Sequence, residues 1–140
     1  MQLSVQKLHM NAVLPTFAHD SDAGMDLYCC EEITLAPESR LQVKTGIAIA
    51  IPVGYVGLVW DKSGLSHKSG LKILGGVIDA GYRGEVLIGL VNLGQESHTF
   101  KVGDKVAQLL IQKVEHPEIV EVLSLEETER GEGGFGSTGI

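Results

Sequence analysis

The sequence predicts an all-β, jelly-roll-like sandwich with one short helix and a flexible C-terminal arm. Three observations predict it. Short β-rich runs follow one another along the chain, turn residues punctuate them at close intervals, and one stretch alone carries both helix-start and helix-stop signals. With 140 residues, 44% hydrophobic and 21% charged, the chain is one domain's worth and can fill a core of its own.

Val5 and Leu27 lie near the first two strands. From Leu41 to Thr45 apolar and polar residues alternate, and Ile47, Ile49 and Ile51 then share one face with Ala48 and Ala50 opposite. Tyr55–Trp60 is a further β-rich run. Ser63–Gly70 reads as the helix, opened by a capping serine and closed by glycine. From Glu85 to Leu93, Val86, Ile88 and Leu90 oppose Leu87, Val91 and Leu93. Apolar residues on both faces predict a strand buried between two sheets. Lys105–Val114 and Ile119–Leu123 complete the strands. Turns are expected at Ala36–Ser39, Pro52–Gly54, Leu93–Glu96 and Val102–Asp104. Residues 1–125 thus form the sandwich. Residues 126–140, acidic and then Gly-rich, hold too little apolar surface to pack alone and form the arm.

Composition narrows the function. The net charge of -7 argues against a nucleic-acid polymer as partner. No run approaches the ~18–20 apolar residues of a membrane span. The N-terminus lacks the basic-then-apolar layout of a secretion signal, so a cytoplasmic protein without a membrane partner is expected. The adjacent Cys29 and Cys30 fit alternate faces of one strand and make neither a disulfide framework nor a zinc site. His9, His19, His67, His98 and His116 show no metal-ligand spacing.

Three segments could carry chemistry. At Arg130–Gly139 an arginine, two hydroxyls and a series of bare amides suit an anionic oxygen cluster such as a triphosphate; the same composition also suits a disordered tail. Lys62-Ser63-Gly64 places donors at the start of the short helix, as a phosphate site or an ordinary cap would. In the third, Gly75-Gly76 reads as a tight hairpin, and Asp79 follows two β-branched residues where a carboxylate would be partly buried. Such an aspartate serves as a general base or as a turn residue.

Taken in order, the chain resembles the homotrimeric deoxyuridine triphosphatase (dUTPase) family. The resemblance runs through Asp22-Ala23-Gly24-Met25-Asp26-Leu27-Tyr28, Lys62-Ser63-Gly64-Leu65, Gly76–Glu85, Gly103-Asp104-Lys105-Val106-Ala107-Gln108 and Arg130–Gly139. Each motif alone is weak; five in the family's order are highly specific. Thirteen of the 18 glycines fall within residues 22–28, 62–72, 75–85, 103–108 and 130–139, so the glycine excess maps these segments rather than a floppy chain.

The resemblance implies a β-clip jelly-roll trimer that hydrolyses dUTP to dUMP and pyrophosphate, keeping uracil out of DNA and supplying dUMP for thymidylate synthesis. It implies that Asp79 holds or deprotonates the attacking water, with Gly76 and Ile78 reading uracil and Tyr82 packing on the deoxyribose. Lys62, Ser63, Gly64 and Gln108 would hold phosphates, and Asp26 would support the site. Arg130, Gly136, Ser137 and Thr138 would arrive on another subunit's arm to close over the triphosphate, with Phe135 stacking on the base. Mg²⁺ would ride on the substrate phosphates rather than in a protein cage.

Two departures stand out. The family usually has Pro-Arg-Ser-Gly where this chain has Asp61-Lys62-Ser63-Gly64, which keeps the charge but loses the guanidinium fork. Asp61 beside a triphosphate would be unfavourable unless it pairs with Lys62 or points elsewhere. Gly81 also replaces an acid often found two residues after the catalytic aspartate. The alternatives are a dCTP deaminase, whose Arg-Ser-Ser segment and catalytic glutamate are missing here, a nucleotide-holding jelly roll without turnover, and a structural trimer.

Overall fold

The computed structural model describes residues 1–134. Its strands are β1 (Ser4–Lys7), β2 (Met25–Tyr28), β3 (Ile33–Leu35), β4 (Arg40–Ala50), β5 (Tyr55–Trp60), β6 (Leu71–Leu74), β7 (Val77–Ile78), β8 (Glu85–Asn92), β9 (His98–Phe100) and β10 (Lys105–Lys113), with helix α1 (Ser63–Ser69) between β5 and β6. They form two four-stranded sheets, β1-β4-β8-β6 and β2-β10-β5-β7, and a β3-β9 pair. All pairings are antiparallel. The architecture is the all-β sandwich that the patterning predicts.

Ile47, Ile49 and Ile51 meet Val43, Ile88, Leu90 and Leu109 in the core, all almost fully buried. Removing such side chains from water is the main stabilisation of the sandwich, at roughly 1.5–3 kcal/mol each. Two buried polar residues are satisfied by backbone. The Thr45 hydroxyl donates to the Val86 carbonyl at 2.6 Å. The Asn92 amide donates to the carbonyls of Leu35 and Glu96 and accepts from the Gly94 amide.

Several sequence expectations need correction. Ser63 does not cap α1: Lys62 is the N-cap residue and no side-chain cap bond forms, although Gly70 closes the helix in the left-handed conformation as expected. Gly75-Gly76 is not a hairpin. The strands it joins belong to different sheets, β6 pairing with β8 and β7 with β5. The two glycines instead carry the chain from one sheet to the other.

β8 is buried on one face only. Val86, Ile88, Leu90 and Asn92 point into the core, whereas Leu87 remains 41% exposed in the single chain. Residues 119–123 form no strand, and Ile119, Val120, Val122 and Leu123 are exposed. Cys29 and Cys30 do not alternate across a strand. Both follow the end of β2, both are buried, and burial pushes both thiols up in pKa. Among the described residues, no helix is long and apolar enough to cross a membrane.

Candidate active site

β7 and the turn after it build one cleft. Val77 and Ile78 pair with Leu58 and Gly57 of β5, and the Tyr82 amide then closes a turn onto the Asp79 carbonyl at 3.0 Å. Gly76, Ile78, Asp79 and Tyr82 line a cleft of about 280 Å³ together with Val59 and Glu85. Gly76 has φ +105°, and a methyl group there would come within 2.6 Å of the Val59 carbonyl oxygen, so the close approach to β5 requires glycine. Ile78 is buried, while Tyr82 stays half exposed and donates its hydroxyl to the Glu85 carbonyl at 2.9 Å.

Asp79 is exposed at this cleft rather than partly buried. The apolar run before it buries Ile78, and the chain then turns outward. Among the described residues, nothing hydrogen-bonds or ion-pairs to its carboxylate.

A second cleft opens on the other side of β5, where Ala23, Trp60, Asp61, Ser63, Ser66 and Gln108 line about 430 Å³. Gln108 pairs with Trp60, whereas Ile78 pairs with Gly57. The two clefts share no lining residue among those described, although Val59 of one and Trp60 of the other are neighbours on β5. The Gln108 Nε2 donates to the Asp61 carbonyl at 2.8 Å. Ser63 and Gly64 begin α1 with exposed side-chain positions.

Beside this cleft lies a buried carboxylate. Asp26, on β2, is only 4% exposed. The Lys62 ammonium donates to its Oδ1. Lys105 Nζ lies 2.6 Å from Oδ2 as an ion pair outside hydrogen-bonding geometry. Burial works to raise the Asp26 pKa, but Lys105 and Lys62 outweigh it and hold the carboxyl below its ordinary value. Asp26 in turn pushes the Lys105 pKa up. Lys62 therefore engages Asp26, while Asp61 engages Lys72 and the Ile73 amide.

The structure thus brings Gly76, Ile78, Asp79 and Tyr82 together, and Ser63 with Gln108, but keeps the two groups apart. Arg130 joins neither; its Nε donates to the Gly133 carbonyl at 2.7 Å within its own turn. Phe135, Gly136, Ser137 and Thr138 lie outside the described residues. Sequence reasoning missed the partnerships of Lys105 and Lys72. Lys105, three residues before Gln108 in the same motif, carried the only local signal. Among the described residues, no three His, Cys, Asp or Glu side chains are placed to hold a metal ion.

A family model described as dUTPase matches residues 10–139. Relatives named deoxyuridine 5'-triphosphate nucleotidohydrolase include one from Mycolicibacterium vanbaalenii, 49% identical over 98% of this chain and 94% of its own. Another, from Clostridium kluyveri, is 46% identical over 99% of both chains. Among solved structures, the Staphylococcus bacteriophage 80alpha dUTPase with dUPNHPP matches with a TM-score of 0.94 at 35% identity, covering 99% of each chain. A mutant dUTPase from phage phi11 of S. aureus, described as revealing the coordination of a structural Mg(II) ion, matches with a TM-score of 0.85 at 33% identity, over 91% of this chain and 100% of that one.

Proposed function

This chain belongs to the dUTPase family and hydrolyses dUTP to dUMP and pyrophosphate; on that premise we propose how its two clefts divide the work. The Gly76–Tyr82 cleft takes the nucleoside. Backbone groups at Gly76 and Ile78 read uracil in a slot too tight for a thymine methyl, and Tyr82 packs on the deoxyribose where a 2′-hydroxyl would intrude. The Ser63–Gln108 cleft takes phosphates, with Gly64 and Lys62 adding an amide and a charge.

Asp79 orients the attacking water and accepts its proton. The water oxygen bonds to the α-phosphorus as the bond to pyrophosphate breaks. The observation that carries this role is the contrast among the motif aspartates. Asp26 and Asp61 are neutralised by lysines, and Asp79 alone faces its cleft without a partner among the described residues.

The working unit is a homotrimer with sites between copies. Three features support this: among the described residues none lines both clefts, β8 leaves Leu87 uncovered, and residues 119–125 leave apolar side chains exposed. The arm of another copy brings Arg130, Phe135, Gly136, Ser137 and Thr138 to close over the substrate. Mg²⁺ would be carried by the triphosphate. It supplies neutralisation of the phosphate charge.

The test is pyrophosphate release from dUTP set against dTTP, dCTP and UTP, with and without a chelator. Release should be fast with dUTP, at least about a hundredfold slower with the others, and restored after chelation by Mg²⁺ alone. Ammonia from dCTP would favour the deaminase; full turnover in excess chelator would remove Mg²⁺ from the account.

A further inference from the structure

Asp61 stands between β5 and α1, immediately before Lys62 and Ser63. A free carboxylate there would repel a triphosphate. Its charge is instead engaged by partners on β6. Oδ1 accepts the Ile73 amide at 2.7 Å, and Oδ2 pairs with the Lys72 ammonium. Ile73 belongs to β6, an edge strand of the β1-β4-β8-β6 sheet. Outward amides of an edge strand have no strand partner, and Asp61 provides one. The carboxylate thereby ties the end of β5 in one sheet to the edge of the other.

The backbone carbonyl of the same residue is the acceptor for Gln108 Nε2, at 2.8 Å. A carbonyl accepts only from the NH₂ end of a primary amide, so this bond fixes which way the Gln108 amide is turned. Gly24 closes the opposite side, where a methyl group would come within 2.6 Å of Gln108 Oε1. With one N–H on Asp61, the second N–H remains for the cleft that Gln108 lines. The reversed amide would present a carbonyl oxygen to an anion.

From this geometry we propose that Asp61 is a positioning residue for the triphosphate: anchored by Lys72 and the Ile73 amide, it holds Gln108 with its donor toward the phosphates. The inference rests on the reading of the Ser63–Gln108 cleft as the phosphate site. It also gives a role to the aspartate that stands where the family usually has proline.

A double-mutant cycle tests it, using Asp61→Ala, Gln108→Ala and the double variant, with the affinities for a non-hydrolysable α,β-imido dUTP and for deoxyuridine as readouts. Gln108→Ala should weaken analogue binding about tenfold and Asp61→Ala about fivefold, with the double variant no weaker than Gln108→Ala alone. Deoxyuridine, lacking phosphate, should bind all three within about twofold of the parent. Asp61→Asn, whose amide oxygen still accepts from Ile73, should recover most of the loss. An unchanged Asp61→Ala, or losses that multiply to about fiftyfold in the double variant, would overturn the proposal. Unchanged analogue binding by Gln108→Ala would overturn the reading of the cleft itself, and the proposal with it. Circular dichroism of each variant separates these results from misfolding.

Discussion

Asp79 stands exposed beside Gly76, Ile78 and Tyr82, whereas Asp26 and Asp61, across β5, are each held by lysine ammonium groups. β2 and β10 lie on one side of β5 and β7 on the other. The cleft beyond β7 is shaped by backbone approach, with Gly76 pressed against β5; of its two carboxylates, Glu85 accepts from the Gly46 amide and Asp79 has no partner among the described residues. On the other side carboxylates serve as anchors. Asp26 is paired with Lys62 and Lys105, and Asp61 with Lys72 and the Ile73 amide. The same side chain is free in one place and held in the others because Asp79 has no ion-pair partner among the described residues, whereas Asp61 has one and Asp26 two.

The largest expected consequence of that contrast falls on Asp79. Asp79→Asn should lower kcat about a thousandfold, while the α,β-imido analogue still binds within about threefold of the parent. Unchanged turnover would move the base elsewhere. Next comes removal of residues 130–140, expected to cost about a hundredfold in activity while sedimentation and thermal unfolding remain those of the parent. Dissociation of the oligomer would instead make the tail structural. A smaller effect is expected from Tyr82→Ala, which should reduce the preference for dUTP over UTP about tenfold in kcat/KM ratios and leave phosphate affinity intact.

Asp26→Asn should affect stability more than turnover, by about 1–2 kcal/mol, because Lys62 and Lys105 lose their counter-charge yet keep partial contact with solvent. The folded-state pKa of Asp26 is lowered from 3.8. The ion-pair contribution is therefore complete above about pH 4 and is lost as pH falls through the lower folded value. The gap in thermal stability between parent and Asp26→Asn should stay level from about pH 5 to 8 and narrow only below about pH 4. A gap that closes near neutrality would contradict the ion-pair account.

Long alternation was legible in the sequence. β4, β8 and β10 span eight or more residues and repeat their pattern several times. β3, β6, β7 and β9 run for two to four residues, too short to establish a period. Gly75-Gly76 has the composition of a hairpin, yet turn chemistry is local and does not reveal whether the flanking strands pair. The outer face of β8 carries the apolar residues that the pattern predicts, but Leu87 on it is not covered within the chain.

At the site, the motif resemblance grouped the residues, and the structure divides them between two clefts. The Asp61–Lys72 pair was not legible. Its partners sit on either side of α1, and only folding brings them together. The conditional expectation that Asp61 would be tolerated if it pointed elsewhere is met by Lys72 and the Ile73 amide.

The division into two clefts that serve one substrate across neighbouring copies is tested most directly by mixing variants. Asp79→Asn damages one cleft and Ser63→Ala/Gln108→Ala the other, so each preparation alone should be nearly inactive. Unfolded, mixed in equal amounts and refolded together, they should regain about a quarter of the parent's pyrophosphate release, because that share of interfaces joins two intact clefts. Mixed oligomers no more active than either variant alone would contradict the account and place both halves of the site on a single chain.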